Sequence, residues 1–187
     1  MKYVTQVFVV VLVLLVGGGC TDRVGEVDTG GIALEVEFED SVFRVGVNDT
    51  SLLSLPTVNI DSVITTPAGG SSSLMDVELN TIEITYARAD TGTRTPMPFV
   101  YNVVGSVPAG GQLTYSDLPV MTVDQLRGDP LRDLLYENGA VDSETGASII
   151  KINLTMRVFG QTLAGVDVSS VPRTQTFEFV PSLSTSF

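Results

Sequence analysis

Residues 148–160 constrain the fold of this chain more than any other stretch. Ile150, Ile152, Leu154, Met156 and Val158 fall on one side of an extended backbone, and Lys151, Asn153, Thr155 and Arg157 fall on the other. Alternation with a period of two builds a strand with one buried and one wet face; a helix has a period of 3.6 and would scatter these residues. The pattern recurs. In 81–89, Ile82, Ile84 and Tyr86 oppose Glu83, Thr85 and Ala87. From Ile32 onward, Leu34, Val36 and Phe38 oppose Glu35, Glu37 and Glu39. Shorter runs at 56–65, 99–107, 112–116, 161–168 and 174–180 complete the set, with Phe177 and Phe179 sharing a face in the last. Half-buried strands with one polar face belong to antiparallel sheets. Seven or eight of them predict an all-β fold, an antiparallel two-sheet sandwich.

Turn residues punctuate the strands. Asp90-Thr91-Gly92 follows one and Asn48-Asp49 another. Pro-Ala-Gly-Gly occurs at 67–70 and 108–111, a repeated turn whose flanks do not match. One stretch, 122–138, breaks the pattern and predicts a short helical insertion. Thr122 and Gln125 have capping-box spacing, and Gly128 ends that turn. Asp129-Pro130 then supplies an N-cap residue and a first-turn proline. Leu131, Leu134 and Leu135 make one apolar face, and Asn138-Gly139 stops the helix. Residues 130–137 are too few for an isolated helix, which needs about 12–15, so the segment must dock across an end of the sandwich.

Composition narrows the chemistry. There are 22 acidic against 10 basic side chains, and the formal charge of −12 argues against nucleic acid, whose phosphates need a basic footprint. The chain has no histidine, the commonest general base. A single cysteine allows neither an intrachain disulfide nor a thiolate zinc site. Ser148 and Lys151 have the spacing of a serine–lysine nucleophile pair, but three-residue spacing on a strand puts them on opposite faces. Tyr86, Tyr101, Tyr115 and Tyr136 could stack on sugars, yet nothing in the sequence gathers them. Neither an enzyme nor a cofactor is expected. The metal candidates are Glu35, Glu37 and Glu39 on one strand face, and Asp142 and Glu144 in a loop. Hard cations want several oxygens at once. Each set reads first as a solvated surface.

The N-terminus carries an address. Lys2 supplies a positive start, residues 7–16 are an unbroken apolar run, and Gly17-Gly18-Gly19 lead to Cys20. Such a run is too short to span a bilayer and reads as a secretory signal. The sequence Leu15-Val16-Gly17-Gly18-Gly19-Cys20 resembles the lipobox of bacterial lipoproteins, with Gly17 where that family prefers leucine. The resemblance implies cleavage before Cys20, lipidation of its thiol and membrane attachment through the acyl chains. Residues 1–19 are then signal, 20–30 a flexible tether and 31–187 the domain. Thr21 rather than aspartate follows the cysteine, which favours the outer over the inner membrane of the cell envelope. Val107-Pro108-Ala109-Gly110-Gly111 resembles a connection in bacterial immunoglobulin-like domains, which implies an immunoglobulin-like sandwich. The expectation is a non-enzymatic membrane-anchored lipoprotein with a structural role or a protein partner in the envelope. The alternative is a calcium-stabilised binding or adhesion module for extracellular glycan or protein.

Overall fold

The computed structural model describes residues 31–38, 42–65 and 71–183. The signal, Cys20, the tether, Glu39 and the first Pro-Ala-Gly-Gly turn lie outside the described residues. The domain is all-β, built from two packed sheets. Strand β1 (Ile32–Phe38) pairs with β3 (Leu53–Ile64), and β3 with β6 (Gln112–Met121), to make the smaller sheet. The larger sheet runs in the order β2 (Phe43–Gly46), β9 (Arg173–Val180), β7 (Ile150–Thr162), β4 (Val77–Arg88), β5 (Phe99–Val107). Strand β8 (Asp167–Ser169) folds back on β7.

The long alternating runs form strands as expected. Ile150, Ile152, Leu154, Met156 and Val158 are buried, as are Ile82, Ile84 and Tyr86 opposite them across the β4–β7 pairing. Three details differ from the sequence expectation. The run 161–168 is not one strand but the end of β7, a turn and the start of β8. Strand β2 gives too short a pattern to be read; its Phe43 stacks on Phe177 of β9 at 5.3 Å. Its pairing with β9 is parallel, so the larger sheet is mixed rather than wholly antiparallel.

The larger sheet is also curled into a half-barrel. Where β7 advances one residue, from Phe159 to Gly160, β4 advances two, from Thr81 back to Leu79. Along the same line β5 advances three, from Asn102 to Gly105. Each strand outward therefore carries one residue more, and stacked bulges of this kind bend a sheet. Gly160 lets the line form, because a Cβ there would sit 2.6 Å from the Glu78 carbonyl oxygen and 2.8 Å from Val77 Cγ1. Since the nearest obstacle is backbone, Gly160→Ala is expected to cost about 1–3 kcal/mol. A urea midpoint equal to that of the wild type would show that the line has room.

Three tyrosines that the sequence left scattered meet where the curled edge approaches β6. Tyr86 donates to the Val120 carbonyl at 2.5 Å and Tyr101 to the Pro119 carbonyl at 3.0 Å. Tyr115 donates in the opposite sense, from β6 to the Val104 carbonyl at 3.2 Å. Burial pushes the Tyr101 phenol up to about 12 and the Tyr86 phenol higher, so these hydroxyls stay protonated donors. Side-chain bonds thus latch the sheets where no backbone ladder joins them. Tyr136 stays apart and exposed.

The insertion keeps its first capped turn but not the helix expected over 130–137. α1 (Val123–Arg127) has the capping box, with the Gln125 amide donating to Thr122 Oγ1 at 3.4 Å and the Thr122 amide to Gln125 Oε1 at 2.8 Å. Beyond Gly128 the expected helix is replaced by two 3₁₀ turns, Leu131–Leu134 and Tyr136–Asn138, with Leu135 extended between them. Asp129 makes no cap; its carboxylate instead binds Arg132 Nε at 2.6 Å. Asn48 explains the break, since its side chain donates to the Leu134 carbonyl at 3.3 Å and accepts from the Tyr136 amide at 3.4 Å. An eight-residue segment gains too little from helix propagation to resist such competition. Leu131, Leu134 and Leu135 are buried all the same, and Gly139 closes the last turn with φ +95°.

Candidate functional site

The densest polar constellation lies where β4 and β7 meet the insertion. Arg88 ends β4, and the turn after it brings Asp90 back onto the guanidinium at 2.6 Å. Asp142, from the loop before β7, meets the same guanidinium at 2.8 Å. The Arg88 side chain is 3% exposed and Asp142 is fully buried, so this pair sits in the interior rather than on a wet surface. Gly92 closes over it, because a Cβ there would lie 2.5 Å from Arg88 Nη1. Arg94, at the other end of the turn, binds Asp133 at 2.7 Å and the second Asp142 oxygen at 3.1 Å, with Asp129 at 3.5 Å. Glu144 accepts from the Thr93 hydroxyl and amide and the Arg94 amide, and lies 3.6 Å from both guanidinium groups.

Two guanidinium groups thus face five carboxylates. Burial pushes the Asp142 pKa up, but the Thr145 hydroxyl, Arg88 and the Glu144 amide outweigh it and bring the group to about 2. At Asp90 burial opposes the shift in the same way, and Arg88 with the Lys151 and Gly92 amides holds the carboxyl below its usual range. Asp133 is lowered likewise, by Ser143 and Arg94 against its burial. Glu144 is lowered chiefly by its Thr93 and Arg94 bonds. Asp90, Asp133, Asp142 and Glu144 are therefore charged and engaged at neutral pH. Such a network cannot exchange protons near neutrality; what it does is bind the turn after β4 to the 129–147 segment.

The sequence candidates separate in space. Asp142 and Glu144 come together, but their oxygens are taken by arginine, amide and hydroxyl donors. Glu35 and Glu37 lie exposed on β1, where the register sets Asp61 across from Glu35. Among the described residues no group of three or more acids, histidines or cysteines is arranged to hold a metal ion. Ser148 is exposed before β7 begins, and the Lys151 ammonium is paired with Glu178 at 2.7 Å, away from Ser148's side of the strand start. Sequence reasoning missed Arg88 and Arg94. Two arginines bracketing an Asp-Thr-Gly turn, in a chain so poor in basic residues, were the available signal.

An open cleft of about 520 Å³ is lined by Arg44, Tyr136, Ser148, Ile149 and the segment from Val180 to Leu183, none of which belongs to the network. Among the described residues no helix is long and apolar enough to cross a membrane. No family model matches this chain, and no characterised sequence does.

Proposed function

We propose that this chain is a non-catalytic bacterial lipoprotein, attached by lipid at Cys20 to the cell envelope, with the outer membrane favoured by Thr21. Its domain serves a structural or protein-interaction role. The carrying observation is the lone cysteine directly after an apolar run and three glycines. Several acyl chains anchor a protein where one binds marginally, each buried methylene adding about 0.8 kcal/mol. Strand β1 begins at Ile32, so residues 20–30 suffice as a tether between lipid and domain. The non-catalytic part rests on the absence of histidine and on a polar cluster whose buried Asp142 is held in its charged form by Arg88 and its hydrogen bonds. The loop acids favour no calcium role, because the Asp142 and Glu144 oxygens already have their partners. The domain is immunoglobulin-like on this reading, which two packed, mostly antiparallel sheets support.

Cys20→Ser tests the anchor. The wild type is expected to take up labelled palmitate in growing bacteria and to stay with the membrane fraction through a high-salt wash. The variant is expected to take up none and to leave that fraction. A Cys20→Ser protein that still sediments with membranes would overturn the lipid attachment.

A further inference from the structure

The chain enters the domain at Gly31, and backbone bonds tie that point to the loops of one end of the sandwich. The Thr65 amide donates to the Gly31 carbonyl at 2.9 Å, and the Ser62 amide to the Gly111 carbonyl at 2.9 Å. In the same turn the Ala109 amide donates to Asp76 Oδ1 at 2.9 Å. The Asp76 and Leu74 carbonyls accept from the Leu163 amide at 2.9 Å and the Ala164 amide at 3.0 Å. Leu74 is 59% and Leu163 51% exposed, and Pro108 and Ala164 are exposed at the same end. Charge avoids it: in 71–77, 107–111 and 162–166 the only charged side chain is Asp76, already spent on the Ala109 amide. The ion-pair network gathers at the opposite end, where β4 finishes and β7 starts. The twelve residues of β4 separate the two ends by about 36 Å.

We propose that this end of the domain rests on the bilayer, with Leu74 and Leu163 entering its headgroup region. The proposal rests on the lipid attachment at Cys20. From Cys20 to Gly31 the chain reaches at most about 40 Å even fully extended. Lipid at Cys20 therefore delivers Gly31, and the loops bonded to it, to the membrane surface first, which is why the occupant is lipid and not a protein. Two leucines gain too little to hold a free protein on a membrane, since even a single acyl chain binds marginally. On a tether the same contact is intramolecular and draws on a high effective concentration. Charge favours the same end. Anionic headgroups repel acidic surface within the screening length of about 8 Å, and here only Asp76 comes close.

The test uses the full chain, lipidated in the expressing bacterium and rebuilt into vesicles of phosphatidylethanolamine and phosphatidylglycerol. Lipid takes the Cys20 thiol, so Leu74→Cys, Leu163→Cys or Tyr136→Cys each supplies one free thiol for a fluorophore. Tyr136, 64% exposed beside Ser148 at the opposite end, is the control. Nitroxide-bearing lipids are expected to quench the first two labels several-fold more than the control, and aqueous iodide to quench them less. Adding Leu163→Asp to Leu74→Cys should return its lipid quenching to the control's level. Equal lipid quenching at all three sites in protein that floats with the vesicles overturns the membrane contact and leaves the anchor standing. Shielding from iodide without lipid quenching overturns it too, and marks a contact with a second copy. Lipid quenching at residue 74 that survives Leu163→Asp overturns the insertion of the leucines. A chain that takes up no palmitate and does not float overturns both the anchor and the contact.

Discussion

Arg88→Ala is expected to destabilise the domain by about 3–5 kcal/mol, because it strands buried charge. Asp142 is fully buried and Asp90 lies against the same guanidinium, so removing Arg88 leaves an interior carboxylate with only Arg94 and hydroxyl and amide donors. The urea midpoint should fall accordingly, with an unchanged slope. Replacing both partners by apolar residues, Arg88→Met with Asp142→Leu, should cost much less than Arg88→Ala, since no uncompensated ion remains. The pH dependence follows from the sign of the shifts. Asp142 drops from an ordinary 3.8 to about 2 on folding, and Asp90, Asp133 and Glu144 are lowered as well. A depressed carboxylate contributes stability that is present above its unfolded pKa and lost as pH falls through its folded one. Wild-type stability should therefore decline between about pH 4 and pH 2. Arg88→Ala should show a shallower decline from a lower plateau. An acid-unfolding profile parallel to that of the wild type would mean that the network does not couple to folding.

Strand existence was legible because one physical fact, burial of alternate side chains, writes itself into the sequence. Residues such as Ile152 and Leu154 on β7 announce their face whatever they pair with. Pairing is written more faintly. The curl of the larger sheet depends on Gly160, whose role appears only when the β4 backbone comes within reach of its Cα. The parallel β2–β9 contact joins residues from opposite ends of the domain, and four residues carry too little pattern to announce it. The tyrosine latch is similar. Tyr86, Tyr101 and Tyr115 sit on three strands, and their meeting is a product of topology. At the ion-pair network the acids could be picked out as a loop cluster, yet their chemistry was set by arginines some fifty residues away in sequence. Spacing arguments reach a few residues; a buried guanidinium reaches across the fold.

Leu134→Ala carries the other large expected effect, a loss of about 2–5 kcal/mol read from the denaturation midpoint. The side chain is fully buried, in the same core cluster as Leu131, Leu135 and the strand residues. That holds even though its backbone is a 3₁₀ turn and not the expected helix, so burial and not helicity sets the cost. An unchanged midpoint would show that the insertion packs loosely against the sheets. The effect should also reach the network, because Asp133, the residue before Leu134, binds Arg94 and the Ser143 hydroxyl and amide. The Leu134 carbonyl holds Asn48 from the β2–β3 turn, which in turn donates to the Pro181 carbonyl at 2.6 Å. Leu134→Ala and Arg88→Ala thus loosen the same segment from two sides. Substitutions that share a structural unit are not additive, so the double variant should cost less than the sum of the single ones. Strict additivity would mean that the leucine cluster and the ion pairs hold the insertion independently.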